Sequence, residues 1–343
     1  MATVNQSTTR PASIPASDTA KARQRRTTFT AYGYLLPAMI VMGIITFYPL
    51  VYSVWMSFTD YGPQNLRLDA PSPNFVGFKN YLDIFAGRLT TQLGWDFNFW
   101  RMLAFNIWWT ASNVIFHVSL GILIAVLLNV EGLWLKRFYR AVYVLPIIIP
   151  ALVIATVWKN LFDAQSGSIN QLLSSIAGIF GAGPVRVRWF EAVQYPIDGI
   201  PLSWSYFAML ITNIWLGWPF MTIVATGALQ SVSKELYEAA SIDGATGRQQ
   251  FWRITLPLLR PAMVPAAMVG VVSTFNLFHI SYFLSGGGPK HRTELLVTQA
   301  YRLVNEKKLY ALAAAFGVVM FIVLGIITLI TSRVSKATEK YDA

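Results

Sequence analysis

Six long intervals of this chain contain no Asp, Glu, Lys or Arg. They lie between Arg26 and Asp60, Arg101 and Glu131, Arg140 and Lys159, Asp198 and Lys234, Arg260 and Lys290, and Lys308 and Arg333. Each holds an apolar core close to the ~20 residues that a helix needs to cross the hydrocarbon of a bilayer. The pattern predicts spans over Tyr32–Phe58, Trp108–Leu128, Ala141–Phe162, Trp204–Ala228, Pro261–Leu284 and Leu309–Thr331. Pro146 and Pro150 predict a kink in the third span. A seventh uncharged run, Ala164–Val185, is rich in Ser, Gln, Asn and Gly and reads as an interfacial or aqueous loop helix.

The balance of residues agrees: 55% are apolar and 13% charged, where a soluble domain carries about 25% charged. There is no cysteine, which excludes disulfides and thiolate metal sites. The net charge of +11 could suit nucleic acid. The basic residues, however, flank the apolar stretches instead of forming one stripe, which argues against a nucleic-acid partner and for membrane lipid.

Six spans put both termini on one side. That side collects "KARQRR" (Lys21–Arg26), "LKRFYR" (Leu135–Arg140), the segment from Glu235 to Pro261, and "RVSKATEK" (Arg333–Lys340). The positive-inside rule then places both termini in the cytoplasm of a multi-pass protein of the cytoplasmic membrane. Residues 1–31 read as a disordered basic tail and 334–343 as a short cytoplasmic tail. The first 26 residues hold no apolar core, so Tyr32–Phe58 reads as an uncleaved start-transfer span.

Ionisable groups inside a membrane cost at least ~2.5–3.5 kcal/mol each and so mark function. The span cores hold no Asp or Glu; His117, His279 and Lys159 are their only basic or titratable groups, and Lys159 is close enough to a span end to snorkel. Lacking carboxylates, the histidines read as packed or interfacial residues in preference to a proton relay. What polar character remains favours a neutral ligand. In "YFAMLITNIWLGWPF" (Tyr206–Phe220), Asn213, Leu216, Gly217 and Phe220 share one helical face. An amide there can donate and accept to hydroxyls while rings stack on a sugar. The same face serves equally well if Gly217 allows helix–helix contact and Asn213 bonds a neighbouring helix. In "GVVSTFNLFHISYFL" (Gly270–Leu284), Ser273 and Leu277 share a face with Asn276 and His279 on its shoulder, and hydrogen bonding between helices is again the alternative.

Between spans four and five lies a polar interruption, "ELYEAASIDGATGRQQFWRITLPLLRP" (Glu235–Pro261). Ser233 is a candidate N-cap with Glu235 in the first turn, Asp243-Gly244 signals a helix end, and "TGRQQFWRITLP" resumes helical character until Pro257 and Pro261. This predicts a small helix–turn–helix with small residues at its tip, fit either for insertion into a groove of another protein or for lying at the membrane surface.

The same segment resembles the signature of inner-membrane subunits of binding-protein-dependent ABC importers. That signature is Glu-Ala-Ala, three residues, Gly, nine residues, Ile, one residue, Leu-Pro, met here by Glu238, Ala239, Ala240, Gly244, Ile254, Leu256 and Pro257. The resemblance implies that residues 233–257, Asp243 among them, form coupling helices that dock on a cytoplasmic ATP-hydrolysing subunit. Within that family the chain is similar to the larger permease subunit of maltose/maltodextrin-type systems and its six-span relatives. "NIWLGWPF" (Asn213–Phe220) is similar to the segment that supplies sugar contacts there, so the resemblance implies substrate-binding roles for Asn213, Leu216, Gly217 and Phe220. Anchored on "FLSGGGP" (Phe283–Pro289), it extends those roles to Ser273, Thr274 and Leu277, with Asn276 beside them. Maltose permease has an aromatic and two asparagines at the Ser273, Thr274 and Leu277 positions, and a large folded insert for which Thr59–Phe105 is too short.

The implied fold class is an all-α polytopic membrane protein, a type I ABC importer transmembrane domain over 32–333 with six transmembrane helices and a cytoplasmic coupling helix pair between spans four and five. The implied function is that of a non-enzymatic permease subunit for a neutral sugar or oligosaccharide. Its implied partners are a second permease subunit, a homodimeric ATP-binding subunit and an extracytoplasmic sugar-binding protein. The chain has no G-x-x-x-x-G-K-[ST] phosphate loop, and "SGGGPK" (Ser285–Lys290) lacks the spacing, so ATP and Mg are assigned to the partner ATPase and no cofactor or metal to this chain. Three rivals are weaker. A glycerol-phosphate ester permease wants a cavity cation, a polytopic membrane glycosyltransferase wants a carboxylate or metal cluster, and a secondary carrier wants an intramembrane acid.

Overall fold

The computed structural model describes residues 18–339 apart from 68, 131, 194 and 197–200. The parts of the two terminal tails at 1–17 and 340–343, and Asp198, lie outside the described residues. The chain is mostly helical and divides into two compact units, Met1–Trp55 and Met56–Ala343.

The first unit is one helical run: α1 (Asp18–Met42), a π turn (Gly43–Phe47) and α2 (Tyr48–Met56). Helix therefore begins well inside the stretch read as a disordered tail. "DTAKARQRR" is built of good helix formers, and it is joined directly to an apolar helix that supplies the nucleus a short peptide lacks.

In the second unit, two short helices, α3 (Lys79–Phe85) and α4 (Thr90–Leu93), precede α5 (Phe99–Asn129). The Asn98 side chain accepts the Arg101 N–H at 2.9 Å and so starts α5 nine residues before the predicted span. The third predicted span is a broken pair, α6 (Lys136–Ile148) and α7 (Ala151–Leu161), bent by 99°. Pro150 holds the preceding Ile149 in the extended region (φ −73°, ψ 132°), which converts the expected kink into a corner. The seventh uncharged run forms only α8 (Ser168–Ile179), 12 residues and too short to cross a bilayer.

Next come α9 (Trp204–Gln230), α10 (Lys234–Ile242), α11 (Gly247–Gln250), a π turn (Phe251–Thr255) and α12 (Leu256–Phe275). Helix runs through Pro257 and Pro261, where a stop was expected, and on through Pro265. Two π turns show how the helix passes Pro49 and Pro257. Each sits just before a proline, Pro49 or Pro257, and closes with an N–H bonded five residues back, Tyr48 to Gly43 and Leu256 to Phe251. Widening one turn absorbs the missing donor and the ring clash that would otherwise break the helix. A third π turn (Ile280–Ser285), α13 (Leu296–Asn305) and α14 (Tyr310–Glu339) complete the chain. The short tail expected from residue 334 is thus helical to Glu339.

Among the described residues, five helices are long and apolar enough to cross a membrane, or six if the bent α6–α7 pair counts as one span. One core cluster forms where α5, α9 and α12 meet, with Ile122, Ala125, Met221, Ala225, Leu259 and Met263 interdigitated, and a larger one gathers Ile84, Phe99, Leu303 and Phe316. Gly121 makes the approach possible, since a Cβ on it would strike Met221.

Candidate functional site

The site is opened by a break in helical backbone. α12 ends at Phe275, Asn276 leaves the helical region (φ −97°, ψ 21°), and helical geometry has resumed by Ile280. Backbone groups freed within hydrocarbon cost several kcal/mol each unless satisfied. Here α5 satisfies them. Trp109 Nε1 donates to the Thr274 carbonyl at 3.3 Å and Asn106 Nδ2 to the Phe275 carbonyl at 3.2 Å. Asn106 Oδ1 also accepts the Leu296 N–H at 2.8 Å, so one fully buried side chain ties the break to the start of α13.

The break redirects side chains. On an unbroken helix His279 would stand ~240° around the axis from Ser273. Instead both line one cavity of ≈ 420 Å³. Its α12 wall presents Ser273, Thr274 and Leu277, and its α9 wall presents Asn213, Leu216, Gly217 and Phe220. Asn276, the remaining member of the predicted substrate set, does not line it; the Asn276 amide turns back to the Val272 carbonyl at 3.2 Å and caps α12.

The α9 wall resolves which local use each residue serves. Asn213 Nδ2 donates to Asn113 Oδ1 at 2.8 Å, and Asn113 Nδ2 donates to the Trp109 carbonyl at 2.7 Å. His117 Nε2 meets the Asn213 carbonyl at 2.8 Å, which requires the Nε2–H form since a carbonyl only accepts. A Cβ on Gly217 would run into the His117 ring. Gly217 is therefore a glycine because His117 packs against it, and Asn213 does bond a neighbouring helix. The Asn213 Oδ1 still lacks a protein partner among the described residues, as do the Ser273 and Thr274 hydroxyls and the His279 ring. Among the described residues, the lining holds no Asp, Glu, Lys or Arg. Such a cavity is mainly apolar with a few hydrogen-bonding groups on two facing walls, suited to an uncharged polyhydroxylated molecule.

Outside the membrane cores a charged knot fixes the far end of the break. Fully buried Glu294 pairs with Arg302 Nε at 3.0 Å and His291 Nδ1 at 3.0 Å, and Arg302 reaches Glu306 at 2.7 Å and the Gly286 carbonyl at 3.0 Å. Burial works to lower the Arg302 pKa, but the attraction of Glu294 and Glu306 more than offsets it, and the guanidinium is held more firmly charged.

The segment between α9 and α12 is a compact hairpin of helices. Ser233 caps α10 by accepting the Glu235 N–H at 3.2 Å. Gly244 turns the chain at φ +80°, and a capping box between Thr246 and Gln249 starts α11. Gln250 Nε2 donates to Ser241 Oγ at 2.9 Å, and Tyr237 and Thr255 hydroxyls meet at 3.0 Å, closing the hairpin. Glu238, Ala239, Asp243 and Gly244 are exposed; Ala240, Ile254, Leu256 and Pro257 are half-buried. Ala240, Asp243, Gly244 and Ile254 line a shallow hollow of ≈ 350 Å³, beside Ile242, which is 86% exposed.

Asn106, Asn113 and the cavity-facing role of His279 escaped the sequence reading. A signal was present for the first two: Asn106, Asn113 and His117 recur at i, i+7 and i+11, one polar face on an otherwise apolar helix. Nothing local marks the turn of His279 into the cavity, because it depends on the break at Asn276.

Comparison with known proteins places these features in a family. Residues 117–336 match the family described as binding-protein-dependent transport system inner membrane component. The chain is 31% identical to the galactooligosaccharides transport system permease protein GanP of Bacillus subtilis, over 90% of this chain and 71% of that protein. It is 29% identical to the trehalose/maltose transport system permease protein MalF of Thermococcus litoralis, over 89% and 93% respectively. In fold it is similar to a chain of a bacterial ABC transporter involved in the import of the acidic polysaccharide alginate, with a TM-score of 0.71, 23% identity and coverage of 92% of this chain and 98% of that one.

Proposed function

We propose that this chain, which belongs to the family of binding-protein-dependent transport system inner membrane components, passes a neutral sugar or short oligosaccharide through the cytoplasmic membrane as one permease half of an ATP-driven importer. The observation that carries the reading is the uncharged cavity at the α12 break, with unpartnered hydrogen-bonding groups from α9 and α12 facing each other across it. The similar permeases for galactooligosaccharides and for trehalose/maltose support a saccharide. A glycerol-phosphate ester fits less well, because no Lys or Arg among the described residues lines the cavity to meet its phosphate.

Like its relatives, the chain is a permease subunit and no enzyme itself; ATP hydrolysis belongs to a separate subunit. In the proposed mechanism the α6–α7 pair is the third of six spans, and both termini are cytoplasmic. The α10–α11 hairpin docks on a homodimeric ATPase that binds ATP and Mg, with Glu238, Ala239, Ala240, Asp243 and Gly244 at the contact and Ile254, Leu256 and Pro257 rooting it in α12. Closure of the ATPase pushes the hairpin. Because α10–α11 continues through the π turn into α12 without a loop, that push moves the wall that carries Ser273, Thr274 and Leu277. The motion alternates access to the cavity, which a second permease subunit flanks and an extracytoplasmic binding protein fills.

The test is copurification followed by an ATPase assay. The tagged chain should bring down an ATPase and a second permease, and a maltodextrin, trehalose or galactooligosaccharide on the cognate binding protein should stimulate ATP hydrolysis. Stimulation by a glycerophosphodiester and by none of these sugars would overturn the substrate class.

A further inference from the structure

The loop between α7 and α9 has no part in the transport cycle just described, yet its helix α8 is built with care. The residues of α8 fall on three faces. Ile169, Asn170, Leu173 and Ser174 face inward. Ile169 and Leu173 pack beside Phe162, Trp189 and Ala208, and Asn170 Oδ1 accepts the Trp189 Nε1–H at 3.0 Å. Ser168, Gln171, Ser175 and Gly178 form an exposed polar face. Leu172, Ile176, Ile179 and Phe180, spaced i, i+4, i+7 and i+8, form a second exposed face that is wholly apolar, with Ile179 80% and Phe180 83% exposed.

A helix in plain water needs one apolar face, toward its protein, and α8 has two. We infer that the second lies in the lipid headgroup boundary, so that α8 is a membrane-surface foot holding the loop against the bilayer. Three observations select lipid as the occupant. Six residues separate α8 from α7, whose exposed Leu152, Val153 and Val157 give way to exposed Lys159 and Asn160 in its last turn, so the apolar surface ends close to α8. Its inner side rests on a ring cluster of Phe162 with Trp158, Trp189 and Trp204, and tryptophan is a residue type that gathers at membrane–water boundaries. No charge occurs between Asp163 and Arg186, while exposed Arg186 and Arg188 flank the helix and suit anionic headgroups. The strand-like stretch that bears them is sewn to α8: Ser174 Oγ to the Val185 carbonyl and Asn170 Nδ2 to the Val187 carbonyl, both at 3.0 Å.

The chain has no cysteine, so single labels are unambiguous. Ile179→Cys, Ile176→Cys and Ser175→Cys variants are spin-labelled in the full chain, together with the partner subunits that copurify with it and whose own thiols are blocked beforehand. The complexes are then reconstituted into vesicles of phosphatidylethanolamine and phosphatidylglycerol. Labels at 176 and 179 should collide readily with oxygen and poorly with a water-soluble nickel chelate, at a depth of roughly 5–10 Å, and the label at 175 should show the reverse. Nickel access equal at all three positions would mean a solvated loop. Low access to both reagents at 176 and 179 would mean a protein partner on that face. Either result overturns the proposal, and neither bears on the cavity or the hairpin.

Discussion

The His117 ring occupies the space that a Cβ on Gly217 would need, and its Nε2–H is held by the Asn213 carbonyl at 2.8 Å. The two residues are therefore one packing unit across the α5–α9 crossing. Gly217→Ala should overpack that unit and destabilise the purified complex by about 1–3 kcal/mol. Adding His117→Ala should return part of the loss, because the clash disappears with the ring. Thermal unfolding of both single variants and the double variant measures the coupling. Strictly additive losses would show that the two side chains do not share the space.

Asn106 predicts a larger effect from a smaller change. It serves the Phe275 carbonyl and the Leu296 N–H at once. Asn106→Leu leaves both groups buried and unpaired, at about 1–3 kcal/mol each. Asn106→Asp, as the neutral acid, keeps an acceptor for Leu296 and an O–H donor for Phe275 in poorer geometry. The order of stability should be wild type, then Asp, then Leu, read from detergent unfolding curves, and the α12 break should become protease-sensitive in the Leu variant.

The outer loop offers a pH test. Asp163 Oδ1 accepts the Ser166 N–H at 2.8 Å, the Ser166 hydroxyl at 2.9 Å and the Gln165 N–H at 3.0 Å. These bonds, led by the Ser166 N–H, lower the carboxyl pKa below its ordinary 3.8. A depressed folded pKa means that the stabilisation is complete above the unfolded value and is lost as pH falls through the lowered one. Proteolysis in the 164–203 loop should therefore stay constant down to about pH 4 and rise below it, while Asp163→Ala is cleaved faster above about pH 4 and the difference narrows below it. A rise beginning near neutral pH would point to another group.

Much of this architecture was legible in the sequence because it follows from local rules. Charge gaps located the candidate spans, and Ser233 and Gly244 marked the ends of α10. The departures share a cause, which is that helix ends and breaks depend on partners far along the chain. Pro257 was read as a stop because an isolated proline is one; a π turn upstream carries the helix past it. Asn276 was grouped with the substrate residues because the resemblance sets it beside the contact positions; in the structure its amide bonds the Val272 carbonyl. Of the contact positions carried by the resemblance, those on α9 fell together because α9 is unbroken there. Those on α12 met His279 only because the backbone turns.

The hairpin tip can be separated from the hairpin fold. Gly244 stands at φ +80°, where a β-branched residue costs roughly 1–2 kcal/mol and asparagine is tolerated. Gly244→Val should abolish ATP-dependent uptake, and Gly244→Asn should keep most of it. Glu238→Lys, exposed and free of strain, should weaken ATPase retention during copurification while leaving the chain's own unfolding temperature unchanged. Full retention and full uptake in Glu238→Lys vesicles would remove the hairpin's acidic side from the docking surface.

Asn213 has two oxygens with different duties, and a pair of variants separates them. Its carbonyl holds His117, and its amide nitrogen holds Asn113, so only Oδ1 is left for a ligand. Asn113→Ala removes the interhelical partner and leaves Oδ1 in the cavity; Asn213→Ala removes both. If the cavity binds a sugar hydroxyl through Oδ1, both variants should lose comparable stability. Only Asn213→Ala should then raise the substrate concentration needed for half-maximal uptake, by a factor of about 5–10 for one neutral hydrogen bond of ~1–1.5 kcal/mol. His279→Ala should act in the same direction with a smaller stability loss, confined to lost packing, since no protein group is left unpaired by it. Equal half-maximal concentrations in Asn113→Ala and Asn213→Ala would assign the whole side chain to helix packing and leave Ser273, Thr274 and His279 as the hydrogen-bonding groups of the cavity.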